Sequence, residues 1–166
     1  MTEIAYYVDR NETIQKFIKR KNVLHIGCIG FADSCVDEKV AQAQNSLHAT
    51  ITKHSADALG IDNDCKTISE LKQAGVFDNI ICGDAERLGD VEVLENRKFD
   101  VIVAGDIIEH LSNPGLMLDG VRSLIGENGL FVVSTPNSFG LSAWVRFYST
   151  VSRKGSNMFC ASMQLN

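Results

Sequence analysis

Along the chain, short runs of consecutive apolar residues alternate with stretches in which apolar positions return every three or four residues. Ile14, Phe17 and Ile18 fall at helical spacing between Asn11 and Arg20. That predicts an amphipathic helix lying against a sheet, with Asn11 or Thr13 near its start. Val23 to Ile26 reads as a short buried strand bounded by Gly27. After an irregular segment from Phe31 to Cys35, Val40, Ala43, Leu47 and Ile51 predict helix within Val36 to His54. "ADALGIDND" (Ala56 to Asp64) supplies a second strand, and Ile68 and Leu71 mark a helix over Thr67 to Ala74. "NIICGDAERL" is a third strand that turns at Gly83 and Asp84, and Glu92 to Asn96 predicts a short helix. "FDVIVAGDIIEHL" carries the most apolar strand, Val101 to Ala104. Pro114 opens the next helix, with Leu116, Leu118, Val121 and Leu124 on its core face, and Leu130 to Ser134 forms a fifth strand.

Continuously apolar strands separated by helices specify an α/β fold: a doubly wound, mostly parallel sheet with helices on both faces. No repeat, low-complexity tract or linker divides the sequence, so residues 1–166 are expected to form a single domain. In such a sheet, ligands bind beyond the carboxyl ends of the strands, where the strand order reverses. The polar residues that follow each strand are Gly27, Asp62, Asp84 and Asp106 to His110. Their shared position is the main pointer to a site.

The formal net charge of -5 argues against a nucleic-acid partner. The one basic run, "KFIKRK" (Lys16 to Lys21), fits a solvated helix end. No run reaches the roughly 20 apolar residues needed to span a bilayer, so no membrane partner is expected. The start of the sequence has no apolar signal region. The five cysteines include no C-x-x-C pair and no zinc-type spacing with histidine, so no metal site is expected. Free thiols and a cytoplasmic location follow from that pattern.

Gly27 and Gly30 let backbone approach a ligand at the first strand-to-helix turn, although a tight turn alone has the same need. Asp62, beside Asn63, is placed to accept hydrogen bonds from ribose hydroxyls, or else to cap the helix near Cys65, a role Asp64 also fits. Asp84 and Ala85 are placed to meet an adenine amino group and ring, with a plain turn as the alternative for Asp84. His48 and His54 read as surface or packing residues.

In order, "VLHIGCIG", "ALGIDND", "IICGDAERL", "FDVIVAGDIIEHLSNPG" and "GLFVVSTPN" resemble the successive motifs of class I S-adenosylmethionine-dependent methyltransferases. The likeness is closest to bacterial members with "EHL" after the fourth strand, and it covers about Val23 to Asn137. The resemblance implies a Rossmann-like fold, S-adenosylmethionine as cofactor and a small-molecule or sugar-containing methyl acceptor. It also implies cofactor contacts from Gly27, Cys28, Gly30, Asp62, Asn63, Asp84, Ala85, Asp106 and Ile107. Glu109 and His110 would stand at the mouth of an acceptor pocket as candidate catalytic groups, with Trp144, Phe147 and Tyr148 as candidate lining. His110 is the candidate base because imidazole titrates near neutral pH.

The sequence departs from that family at four points. His25 stands where an acidic residue is usual, and Ile29 and Phe31 where glycine is common, which would narrow the loop or weaken cofactor binding. By the same comparison the chain is short at its C-terminus and lacks the usual last two strands, leaving a sheet edge that favours a homodimer. Two other readings stand beside the methyltransferase. One is a non-catalytic cofactor-binding or interaction module of the same fold. The other is a nicotinamide-dependent oxidoreductase, which needs G-x-G-x-x-G, a pattern Ile29 breaks.

Overall fold

The computed structural model describes residues 10–30, 34–136 and, as a strand, 158–164. Its elements in chain order begin with α1 (Arg10–Ile18), β1 (Asn22–Ile26), α2 (Val36–Gln44), α3 (Leu47–His54) and β2 (Asp57–Asp62). They continue with α4 (Cys65–Gln73), β3 (Ile80–Cys82), β4 (Phe99–Gly105), α5 (Pro114–Leu124), β5 (Ile125–Pro136) and β6 (Met158–Gln164). Short 3₁₀ turns at Ala85–Asp90, Glu92–Leu94 and Ile108–His110 fill the connections around β4.

The strands form one sheet in the order β3-β2-β1-β4-β5-β6. All pairs from β3 to β5 are parallel, and β6 runs antiparallel to β5. The chain winds outward from β1 to β3, then crosses back to β4 on the other side of β1. The order therefore reverses between β1 and β4, which is where an open α/β sheet opens a crevice.

Side chains alternate across the sheet, so neighbouring strand residues feed different cores. Leu24, Ile26, Ile102, Ala104 and Phe131 pack with Met117 and Val121 of α5. Val23, Val101 and Val103 pack on the other face with Ile14 and Ile18 of α1 and Leu47 and Ile51 of α3. His25 belongs to this second face by parity and is 2% exposed. A smaller cluster of Cys28, Ile68 and Ile80 seats α4 beside β3.

Four expectations change. The helix expected within Val36 to His54 is two helices, because Ser46 caps α3 by accepting the Ala49 N–H at 3.1 Å. On α5, Leu116 is 46% exposed and Met117 takes the core position. Cys65 and Cys82 are joined as a disulfide rather than free, while Cys28 and Cys35 are free. The β2–β3 register places Cys82 opposite Asp62, close to the start of α4, so the two Cα atoms lie 5.0 Å apart, within disulfide range. Finally, a last strand does form: β6 pairs with β5 from Pro136↔Met158 to Leu130↔Gln164 and covers the edge on which a homodimer was expected. Among the described residues, no helix is long and apolar enough to cross a membrane.

Candidate functional site

A cavity of about 570 Å³ opens at the carboxyl ends of β1, β2, β3 and β4. Gly27, Cys28, Gly30, Asp62, Asn63, Asp84, Ala85, Asp106 and Ile107 all line it. His110 lines it too, whereas Glu109 does not.

The floor is set by Gly27, whose φ is +72° and whose N–H donates to the Ile61 carbonyl at 2.9 Å. A Cβ there would lie 2.7 Å from Ile107 Cδ1, so both the backbone conformation and the space exclude other residues. A Cβ at Gly30 would meet nothing within 4 Å. Ile29 packs against the Cys28, Ile68 and Ile80 cluster and also lines the cavity. Phe31, Trp144, Phe147 and Tyr148 lie outside the described residues.

At the β2–β3 end the carboxylates are held by nearby backbone. Asp62 Oδ2 accepts the Ile29 N–H at 2.8 Å and Oδ1 accepts the Asp64 N–H at 3.0 Å. Burial pushes the Asp62 carboxyl up, and these two donors oppose that rise. Capping of α4 falls to Asp64, whose Oδ1 accepts the Thr67 N–H at 3.0 Å. The bonds from Thr67 hold the Asp64 carboxyl below its ordinary value. Asp84 takes the turn role, accepting the Glu86 N–H at 2.8 Å, and still lines the cavity.

The opposite end draws on distant parts of the chain. Arg10 Nη1 of α1 donates to Asp106 Oδ2 at 2.6 Å, across a sequence separation of 96. Asp106 itself sits at φ +55°, with its N–H donating to the Ser134 carbonyl at 2.8 Å. Burial pushes its carboxyl up, and Arg10 opposes the rise. His25 and His48 meet through their Nδ1 atoms at 3.3 Å, and His48 Nε2 lies 3.4 Å from Asn79 Oδ1. Burial lowers both imidazoles, His48 to about 4 and His25 well below its ordinary value. Glu109 Oε2 accepts the Thr135 hydroxyl at 3.3 Å, outside the cavity.

Sequence reasoning missed Arg10, the paired role of His48, and Asn79. His48 does pack, as read, but as a polar partner of His25 rather than as an apolar filler. Nothing in local spacing links α1 to the end of β4. The departure at His25 was the available signal: a histidine in a buried strand position needs a polar partner, and α3 passes over that face.

A family model described as "Methyltransferase domain" matches residues 6–159. Among curated proteins, the ubiquinone biosynthesis O-methyltransferase of Azorhizobium caulinodans is 29% identical over 124 residues. That match takes in 72% of this chain and 42% of the relative, so the chain spans less than half the length of the relative. Among solved structures, a TehB-like SAM-dependent methyltransferase from Corynebacterium glutamicum superposes with a TM-score of 0.58 at 18% identity, covering 92% of this chain and 84% of that one. The N-methyltransferase NodS from Bradyrhizobium japonicum, solved with S-adenosyl-L-homocysteine, gives 0.55 at 16% identity, covering 84% and 64%. Both likenesses concern the fold, a Rossmann-like α/β sheet. The match across residues 6–159, on a sheet whose strand ends converge on one cavity, means that the chain belongs to the methyltransferase domain family.

Proposed function

We propose that the chain binds S-adenosylmethionine in the cavity and directs transfer of its methyl group to a hydroxyl of a small-molecule acceptor. The observation that carries this reading is Asp62, fixed at the end of β2 by two backbone donors and facing the cavity. Each of its oxygens accepts one N–H and keeps a second lone pair, which suits the paired hydroxyls of a ribose. Asp84 and Ala85 would flank the adenine, the Gly27 to Gly30 loop would pass the ribose and sulfur, and Asp106 with Arg10 would meet the amino-acid end. Bound there, the cofactor supplies a methyl group on a sulfonium leaving group. The protein's share is alignment and exclusion of water. His110, on the cavity wall, would take the acceptor's proton. Glu109 is engaged by Thr135 and would act on His110's surroundings rather than on the acceptor.

The expectation of a small-molecule or sugar-containing acceptor narrows to an oxygen acceptor through the curated relatives, whose names specify O-methylation. The family match leaves the nicotinamide reading without support. The test is calorimetric titration with S-adenosylhomocysteine, comparing the wild type with Asp62→Asn. A hydrogen bond to a charged group is worth about 1.5–3 kcal/mol, so the variant should bind about 10- to 100-fold more weakly. A folded wild-type chain that takes up no S-adenosylhomocysteine would rule the reading out.

A further inference from the structure

Four buried polar atoms at the α1–β4 end have no hydrogen-bond partner among the described residues: Asn11 Oδ1, His25 Nε2, Asp106 Oδ1 and Ser134 Oγ. Asn11, His25 and Asp106 line the cavity together with Arg10. Buried polar groups are ordinarily paired, so this concentration of unmet acceptors marks a place for a donor.

The protonation state of His25 follows from a chain of contacts that starts outside the cavity. Asn79 Nδ2 donates to the Ala58 carbonyl at 3.0 Å and to Thr52 Oγ1 at 3.2 Å, which fixes the amide's orientation. Its oxygen therefore faces His48 Nε2, and an amide oxygen only accepts, so His48 carries its proton on Nε2. A neutral imidazole has one N–H, which leaves His48 Nδ1 as an acceptor. His25 Nδ1, 3.3 Å away, must donate to it. His25 Nε2 is then a bare lone pair, on a residue that is 2% exposed and lines the cavity. Burial holds both rings neutral, in keeping with a single proton on each.

We propose that Asn79 and His48 are positioning residues that lock His25 in the Nδ1–H tautomer, so that its Nε2 joins Asp106 Oδ1 in accepting the ammonium of the cofactor's amino-acid end. The inference rests on the cofactor reading above. It gives the departure at His25 a specific purpose: a neutral acceptor replaces a carboxylate in a buried strand position, and a second histidine and an asparagine fix its polarity.

Two measurements on the full chain test it. Nitrogen-15 NMR of the histidine rings should show His25 and His48 as opposite tautomers, with bare Nε2 on His25 and bare Nδ1 on His48. In Asn79→Leu, which removes the oxygen that His48 Nε2 meets, the two tautomers should mix. A proton on Nε2 of His25 in the wild type overturns the proposal whether or not a cofactor binds. Calorimetry then compares S-adenosylhomocysteine with 5′-methylthioadenosine, which lacks the amino-acid end. Asn79→Leu should weaken the first about tenfold and leave the second unchanged, and retained binding of the second shows that the variant is folded. Equal weakening of both ligands, or of neither, overturns the relay while leaving the cofactor reading intact. Binding of neither ligand by the wild type overturns both.

Discussion

The two ends of the cavity are built by different means. At the β2–β3 end, Asp62, Asp64 and Asp84 each take a backbone N–H two or three residues further along, and Asp62 adds one from the neighbouring β1 loop. That end is preformed, because each carboxylate is held by a nearby backbone N–H and its geometry is set by short stretches of chain. At the α1–β4 end, Arg10, His25, Asp106 and Ser134 arrive from four separate elements, and four buried acceptors or hydroxyls have no partner among the described residues. Such a half-satisfied network costs stability until something completes it. One end of the site is thus shaped by local chain geometry, and the other draws its polar groups from distant parts of the chain.

Gly27 joins the two ends, so its substitution should have the largest effect. Gly27→Val forces a β-branched residue into positive φ and pushes its Cβ within 2.7 Å of Ile107. Left-handed backbone and overpacking together should cost about 3 kcal/mol, read as a lower urea midpoint. An unchanged midpoint would mean that the loop shifts freely, and the β1 end would no longer count as preformed.

Acid should attack the α1–β4 end selectively. His48 titrates near 4 in the folded protein and near 6.5 when unfolded, so between those values the unfolded chain binds more protons. Stability is then complete above about pH 6.5 and falls as the pH drops toward 4, by about 3 kcal/mol for this residue alone. His25 acts in the same direction. The raised carboxyls of Asp62 and Asp106 act oppositely, holding protons in the folded state, and should soften the loss in its acid part. Urea unfolding at intervals from pH 7 to pH 4 measures the slope. His48→Gln should flatten it, and a slope unaffected by that change would place the acid sensitivity elsewhere.

The same contrast explains what could be read from sequence. The carboxylates of the β2–β3 end were legible, because strand, turn and carboxylate follow one another within a few residues in "ALGIDND" and "IICGDAERL". The five parallel strands were legible for a similar reason: period and apolarity are local properties. The break between α2 and α3 was missed because Val40, Ala43, Leu47 and Ile51 keep helical phase across it, while Ser46 quietly restarts the hydrogen bonding. Leu116 reads as core because it is apolar and in helical phase, yet it is 46% exposed and Met117 is the buried residue. The Cys65–Cys82 bond, the Arg10–Asp106 pair and the Asn79–His48–His25 chain depend on sheet register and helix placement. No spacing rule along the sequence reports those.

The smallest effect on stability is expected at the ion pair that closes the α1–β4 end. Arg10 and Asp106 meet at 2.6 Å, but their side chains keep 24% and 32% of their exposure, so water screens the pair. Pairs of this kind contribute about 0–1 kcal/mol, and Arg10→Met, which preserves the aliphatic stem, should shift the melting temperature very little. The carboxylate is the better reporter. Arg10 opposes the upward push of burial on Asp106, so removing it should raise the Asp106 titration further, visible by carbon-13 NMR. The backbone of Asp106 is held independently by its bond to the Ser134 carbonyl, so the carboxylate should stay at the cavity wall. A stability loss as large as that of Gly27→Val would show instead that the ion pair organises this end, and the unmatched acceptors around it would then be a consequence of α1 docking rather than a place kept for a ligand.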